Sequence, residues 1–145
     1  MAPHTIEVTT TISASPSHIY AILTDFPSYP AWSRYITALT PVSNPAAPPG
    51  TKLLVTLDGR VLNETVIQND ESGFGWGGQI ITPGVFAAKN LILIGRQEEG
   101  GTSVTMKGEF RGVLFGVMRW MGMEEQGRKG MQDFAESLKE RCEKR

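Results

Sequence analysis

Residues 12–32 read Ile12-Ser-Ala-Ser-Pro-Ser-His-Ile-Tyr-Ala-Ile-Leu-Thr-Asp-Phe-Pro-Ser-Tyr-Pro-Ala-Trp32. Ser15 followed by Pro16 marks a helix start. The serine oxygen can accept from an otherwise unpaired N–H of the first turn, and a proline at the first helical position has no N–H to satisfy. Ile19, Ile22, Leu23 and Phe26 then recur at helical spacing. This predicts a short amphipathic helix that stops before Pro27. Phe26 to Trp32 is an aromatic-rich turn, and Ser33 to Leu39 is expected to add a second short helix.

Upstream of this stretch, Ile6, Val8, Thr10 and Ile12 alternate with Glu7, Thr9 and Thr11. Period two with β-branched residues predicts a strand with one buried face. Downstream, Pro41 to Gly50 carries Pro41, Pro45, Pro48 and Pro49 and is read as an exposed loop entering a strand. It is not read as a linker, because the roughly 40 residues before it are too few to fold alone. Then the pattern turns to β. Lys52 to Leu57 alternates, Asp58-Gly59 is a hairpin turn, and Arg60 to Gln68 is the return strand. Phe74 to Ile81 is a glycine-rich strand carrying Trp76, broken by Thr82-Pro-Gly84. Ala87 to Gln97 and Thr102 to Gly112 follow as two more strands.

In the last third, Val117, Trp120, Glu124, Gly127, Met131, Phe134 and Leu138 trace one helix face. Gly122, Gly127 and Gly130 weaken that helix by about 1 kcal/mol each against alanine, which leaves a break or kink near them as the alternative to one continuous helix. The whole is read as one α+β domain over residues 1–145. The first strand and about five to six further antiparallel strands form a curved sheet wrapped around a long C-terminal helix, with a pair of short helices after the first strand. Sheet curvature and helix radius do not match everywhere, so a cavity is expected between them.

Composition bounds the function. Hydrophobic residues make up 40% and charged residues 20% of the 145, which suits a globular core. Lys and Arg number 14 against 15 Asp and Glu, a net charge of −1. That balance argues against nucleic-acid or anionic-membrane binding. Cys142 is the one cysteine, so an intramolecular disulfide is impossible and a reducing, cytoplasmic setting is expected. No secretory signal is read at Met1-Ala-Pro-His4 and no stretch is apolar enough for stable membrane insertion.

The order of elements, together with Ile12 to Tyr20, Leu23-Thr-Asp-Phe26, Tyr29-Pro-Ala-Trp32, Phe74-Gly-Trp76, the Gly101-Thr102 turn, Phe110-Arg-Gly112 and Phe134 to Lys139, resembles the START-like (SRPBCC, helix-grip) superfamily. Within it, the chain is similar to the polyketide cyclase/dehydrase-type proteins. The resemblance spans nearly the whole chain. It implies the helix-grip fold and a cavity for an apolar ligand, but no single activity, because the superfamily includes cyclases, aromatases, lipid carriers, hormone receptors and ribosome-associated factors. Two departures are evident. Asn90 stands where relatives often carry histidine, and Gly108 where many carry an acidic residue. Both remove a titratable group from the expected cavity.

Candidate residues follow from these placements. Glu124 lies in the apolar register of the last helix. Facing a cavity it would serve as a general acid or base, whereas a rotation of one position puts it at the surface beside Glu125. Asn90, on the expected inward face with Ile92 and Ile94, is the second catalytic candidate, with a plain turn role as its alternative. Trp32, Tyr35, Trp76, Ile92, Met106, Val117, Trp120 and Met121 are the candidate ligand-binding wall, with ordinary core packing as the competing reading. Arg60 and Lys89 are placed at strand ends, and the facing of Glu64 is left open. His4 and His18 have no partners at ligand spacing, so neither a metal nor a cofactor is expected. The expected partner is a hydrophobic small molecule, and the expected state a monomer or homodimer. Two functions compete: promoting cyclisation or dehydration of a polyketide-like or lipid-like molecule, and noncatalytic binding or transfer of one.

Overall fold

Alternation of apolar and polar residues is realised first in β1 (His4–Ile12), where Ile6 and Ile12 are buried and Glu7, Thr9 and Thr11 face out. The computed structural model describes residues 4–80 and 86–144. Ser15 caps α1 (Pro16–Leu23) by accepting from the His18 N–H, and Ile19 and Leu23 are fully buried. A single turn of tighter helix (Phe26–Ser28) leads into α2 (Tyr29–Trp32).

The second short helix thus lies at Tyr29–Trp32, not at Ser33 to Leu39. Ser33 takes an extended conformation that ends α2, and Ile36–Pro41 forms β2. The β-branched Ile36, Thr37 and Thr40 favour a pleated strand there, and burial of Ile36 and Leu39 fixes its inner face.

Then come β3 (Lys52–Leu57), β4 (Arg60–Asp70), β5 (Gly73–Ile80), β6 (Phe86–Glu98) and β7 (Gly101–Arg111). Thr82-Pro-Gly84 lies outside the described residues. All neighbours pair antiparallel, giving a curved seven-stranded sheet in the order β1-β7-β6-β5-β4-β3-β2. The sheet is thus β1 and six further strands, and the strand that the sequence reading places as helix is β2.

The C-terminal third is two helices, α3 (Val113–Trp120) and α4 (Met123–Glu143). The break falls at Gly122, whose φ of 83° is left-handed and suits glycine. The apolar spacing read as one face therefore runs across a turn. Met131, Phe134, Leu138 and Cys142 continue it as the buried stripe of α4, while Val117 and Met121 are 53% and 64% exposed. Burying each large apolar side chain of this stripe contributes roughly 1.5–3 kcal/mol. α4 crosses the inner sheet face beside β1 and α1. Among the described residues no helix is long and apolar enough to cross a membrane.

Candidate functional site

The inner face of the sheet is read off its register. Val66 of β4 pairs with Trp76 of β5, Trp76 with Asn90 of β6, and Asn90 with Gly108 of β7. The next row inward is Phe74, Ile92, Met106 and Val8. Side chains that share a row and parity share a face, so Asn90, Ile92, Trp76 and Met106 all point towards α4.

They meet Tyr35, Met131 and Phe134 around a cavity of about 20 Å³. Five of the ten residues proposed from sequence converge here: Tyr35, Trp76, Asn90, Ile92 and Met106. Trp32 is elsewhere. Its ring centroid lies 4.9 Å from that of Tyr29 and 5.9 Å from that of Phe134, in the aromatic packing that seats α2 on α4. Phe26, Phe74 and Trp76 extend this packing into the sheet, with centroids 5.3 Å and 5.9 Å apart. Val117 and Met121 stand in solvent on α3 and its trailing turn. The side chain of Trp120 lies outside the described residues.

Glu124 opens α4, where a carboxylate complements the helix dipole. Its Oε1 lies 2.5 Å from His4 Nε2 and 3.8 Å from Arg128, which ties the start of β1 to α4. It is not among the residues around the small cavity.

Tyr35 is unusual in two respects. Its φ of 69° is rare for a residue with a side chain, and its ring packs on Gly130 of α4. Burial, and then the nearby Asp58 carboxylate, push its hydroxyl above the ordinary tyrosine range. The space at Gly108 is taken by the folded-back ring of Phe110, which a side chain at 108 would meet.

Glu64, whose facing the sequence leaves open, lies on the inner face one row beyond Val66 and Trp76, next to the small cavity but not among the residues around it. Glu64 pairs with Leu53 across β3 and β4, and its carboxyl packs over the bare backbone of Gly78. Oε2 is buried with no hydrogen-bond partner among the described residues. Desolvation alone raises its pKa from 4.5 to about 7. Among the described residues no group of three or more His, Cys, Asp or Glu side chains is arranged to hold a metal ion.

A larger open groove of about 550 Å³ lies on the opposite side of the sheet, lined by outward residues including Asn63, Thr65, Ile67, Lys89 and Arg111. Lys89 is mid-strand on that outer face, 3.9 Å from Glu109, rather than at a strand end.

The family model described as polyketide cyclase / dehydrase and lipid transport matches residues 3–143. No curated protein matches the sequence. Among solved structures, the hypothetical protein jhp0584 from Helicobacter pylori superposes with a TM-score of 0.74 at 12% identity, covering 95% of this chain and 86% of that one. A START superfamily protein from Mycobacterium smegmatis gives 0.66 at 21% identity, covering 97% of each chain. The di-domain ARO/CYC StfQ of the steffimycin biosynthetic pathway gives 0.67 at 6% identity, with 95% of this chain matching 50% of that one. At these identities the structural likeness establishes the fold, and the sequence model establishes the relationship: this chain belongs to the polyketide cyclase/dehydrase and lipid transport family, with the START-like helix-grip fold.

Proposed function

We propose that this protein binds a hydrophobic small molecule, polyketide-like or lipid-like, between the inner sheet face and α4. The observation that carries this is the meeting of Trp76, Ile92, Met106, Met131 and Phe134 around one internal gap with Asn90 and Tyr35 as hydrogen-bonding side chains. The family's description supports the ligand class. A gap of about 20 Å³ holds no more than a water, whereas a drug-sized ligand fills several hundred Å³. Binding therefore requires the interior to open. Met106 and Met131, being unbranched, repack at low cost when α4 shifts.

The test is native mass spectrometry of the protein isolated from its own source, followed by solvent extraction. A retained apolar molecule supports the reading. Absence of any such molecule, together with no binding of the neutral apolar fluorophore prodan, sinks it.

A second reading, in which the bound molecule is cyclised or dehydrated, is favoured by the opening of Tyr35 and Asn90 onto the same gap. Two hydrogen-bonding groups could hold a carbonyl chain in a folded, reactive geometry. Accelerated aldol closure of a β-polyketone thioester, lowered at least tenfold by Asn90→Leu, supports catalysis. Recovery of the thioester unchanged supports a carrier.

A further inference from the structure

A carboxyl group on the inner face of a ligand-binding sheet, with one oxygen buried and unpartnered, calls for a physical account. Burying a polar atom without a hydrogen bond is costly, and folded proteins tolerate few such atoms. Glu64 Oε2 is one of them among the described residues. It is not caught there by crowding. Gly78, the residue beneath it on β5, has no side chain, and any Cβ at that position would strike the Glu64 carboxyl. The space is kept open for the carboxyl by the absence of an atom.

Its surroundings say what it can hold. Across β3 the facing residue is Leu53; along β4 the same-face neighbours are Leu62 and Val66. On β5, Trp76 lies in the row adjoining Gly78 and pairs with the neutral Asn90. Arg60 shares the face but is exposed at the hairpin end of β4, four residues away. Glu109, Lys89 and Arg111 belong to the outer face, and Glu124 is engaged by His4 and Arg128 at the β1 edge, with three strands between β1 and β4. Leu62, two residues from Glu64, is 39% exposed, so this end of the inner face borders solvent.

We propose that the Glu64 carboxyl is the polar anchor of the ligand site and donates a hydrogen bond to a carbonyl oxygen of a neutral, otherwise apolar ligand. This rests on the reading that the interior takes an apolar molecule. A carbonyl needs a single donor, which one protonated carboxyl supplies. An ammonium would bring three donors, and Leu53, Gly78, Val66 and Trp76 offer no side-chain acceptor for the rest. With its pKa at about 7, Glu64 carries the required proton in a substantial fraction of molecules near neutral pH.

The experiment compares prodan, a neutral naphthyl ketone, with dimethylaminonaphthalene, which lacks the carbonyl. Wild-type protein is titrated alongside Glu64→Gln and Glu64→Leu. The wild type should favour prodan by a ratio about three- to tenfold larger than Glu64→Leu does, the range of one net hydrogen bond. Bound prodan emission should shift to the blue in the leucine variant as its carbonyl loses its donor. Prodan affinity of the wild type should fall about tenfold between about pH 6 and about pH 8, as the anchor ionises, and Glu64→Gln should remove that dependence. The wild-type pH series needs no variant to fold. Equal preference in wild type and Glu64→Leu, or a pH dependence that survives Glu64→Gln, overturns the anchor alone. Failure of the wild type to bind either probe overturns the interior site and the anchor with it.

Discussion

The ring of Tyr35 rests on the backbone of Gly130, so close that a β-carbon at position 130 would overlap three of its ring atoms. This contact locks the segment between α2 and β2 onto α4, and it explains a glycine in the middle of a helix that would otherwise prefer alanine. Propensity alone predicts that Gly130→Ala stabilises the protein by about 1 kcal/mol. The packing predicts the reverse, a loss of about 1–3 kcal/mol from overpacking. Urea unfolding of Gly130→Ala decides between them. Tyr35→Ala combined with Gly130→Ala should recover part of the loss, because the clash then has no second partner.

Tyr29 gives a simpler case. It is fully buried, and its hydroxyl donates to the Leu23 carbonyl at 2.7 Å, tying α2 to the end of α1. Burial is the first cause that lifts its pKa far above the ordinary value, with Cys142 and Asp25 adding to the rise. Tyr29→Phe should cost about 1–2 kcal/mol by leaving that carbonyl unpaired. In an ultraviolet titration, Tyr29 should ionise only when the fold is lost. A full complement of native-state tyrosine titration near pH 10 would count against this placement.

Legibility tracked how local each signal was. The Ser15-Pro16 start and the Asp58-Gly59 turn are set by neighbouring residues, and both were readable. That turn also held the facing of Glu64. A two-residue hairpin pairs Leu57 with Arg60, which places Leu62 opposite Val55 and Glu64 opposite Leu53, on the buried side of an alternating strand. Ser33 to Leu39 misled because Ile36 and Leu39 suit a helix face as well as a strand, and only pairing with β3 decides. Val117 misled because helical spacing counts residues and is blind to the break at Gly122, and Met121, a candidate for its deformable side chain, falls in that turn and is exposed. Trp32 meets Tyr29 three residues away, but its seat on Phe134 depends on a contact 102 residues apart. No local pattern contains it.

Cys142 should behave as an inert thiol. It is 5% exposed, and burial, reinforced by the Glu143 carboxylate against a smaller opposing effect of Arg141, pushes its pKa up to about 12. Only the thiolate reacts with alkylating reagents. At pH 8, iodoacetamide should label the denatured chain fully while leaving the native protein essentially unmodified over the same interval. His18 donates from Nε2 to the Cys142 carbonyl at 3.2 Å and pins the last turn of α4 to α1. His18→Ala should therefore speed labelling by letting that turn open. Rapid native labelling of the wild type would show that the end of α4 is not held in this way.

Glu64 should also leave a mark on stability, with a sign opposite to that of most carboxylates. In the folded state it holds its proton up to about pH 7, whereas the unfolded chain releases it near 4.5. Between those values the folded state binds more protons, so raising the pH through this window destabilises the protein. The favourable contribution is complete below about 4.5 and gone above about 7. Allowing for partial solvent screening, the loss is on the order of 1–2 kcal/mol. Asp70 and Glu143 work the other way. Hydrogen bonds from Ser72 lower the first, and one from Lys139 the second, so their contributions are present at neutral pH and lost in acid. Subtracting the urea-unfolding profile of Glu64→Gln from that of the wild type removes these shared effects. Glu64→Gln should gain on the wild type steadily from about pH 5 to about pH 7 and hold that gain above it. A flat difference across the window would mean that the Glu64 carboxyl is solvated in solution.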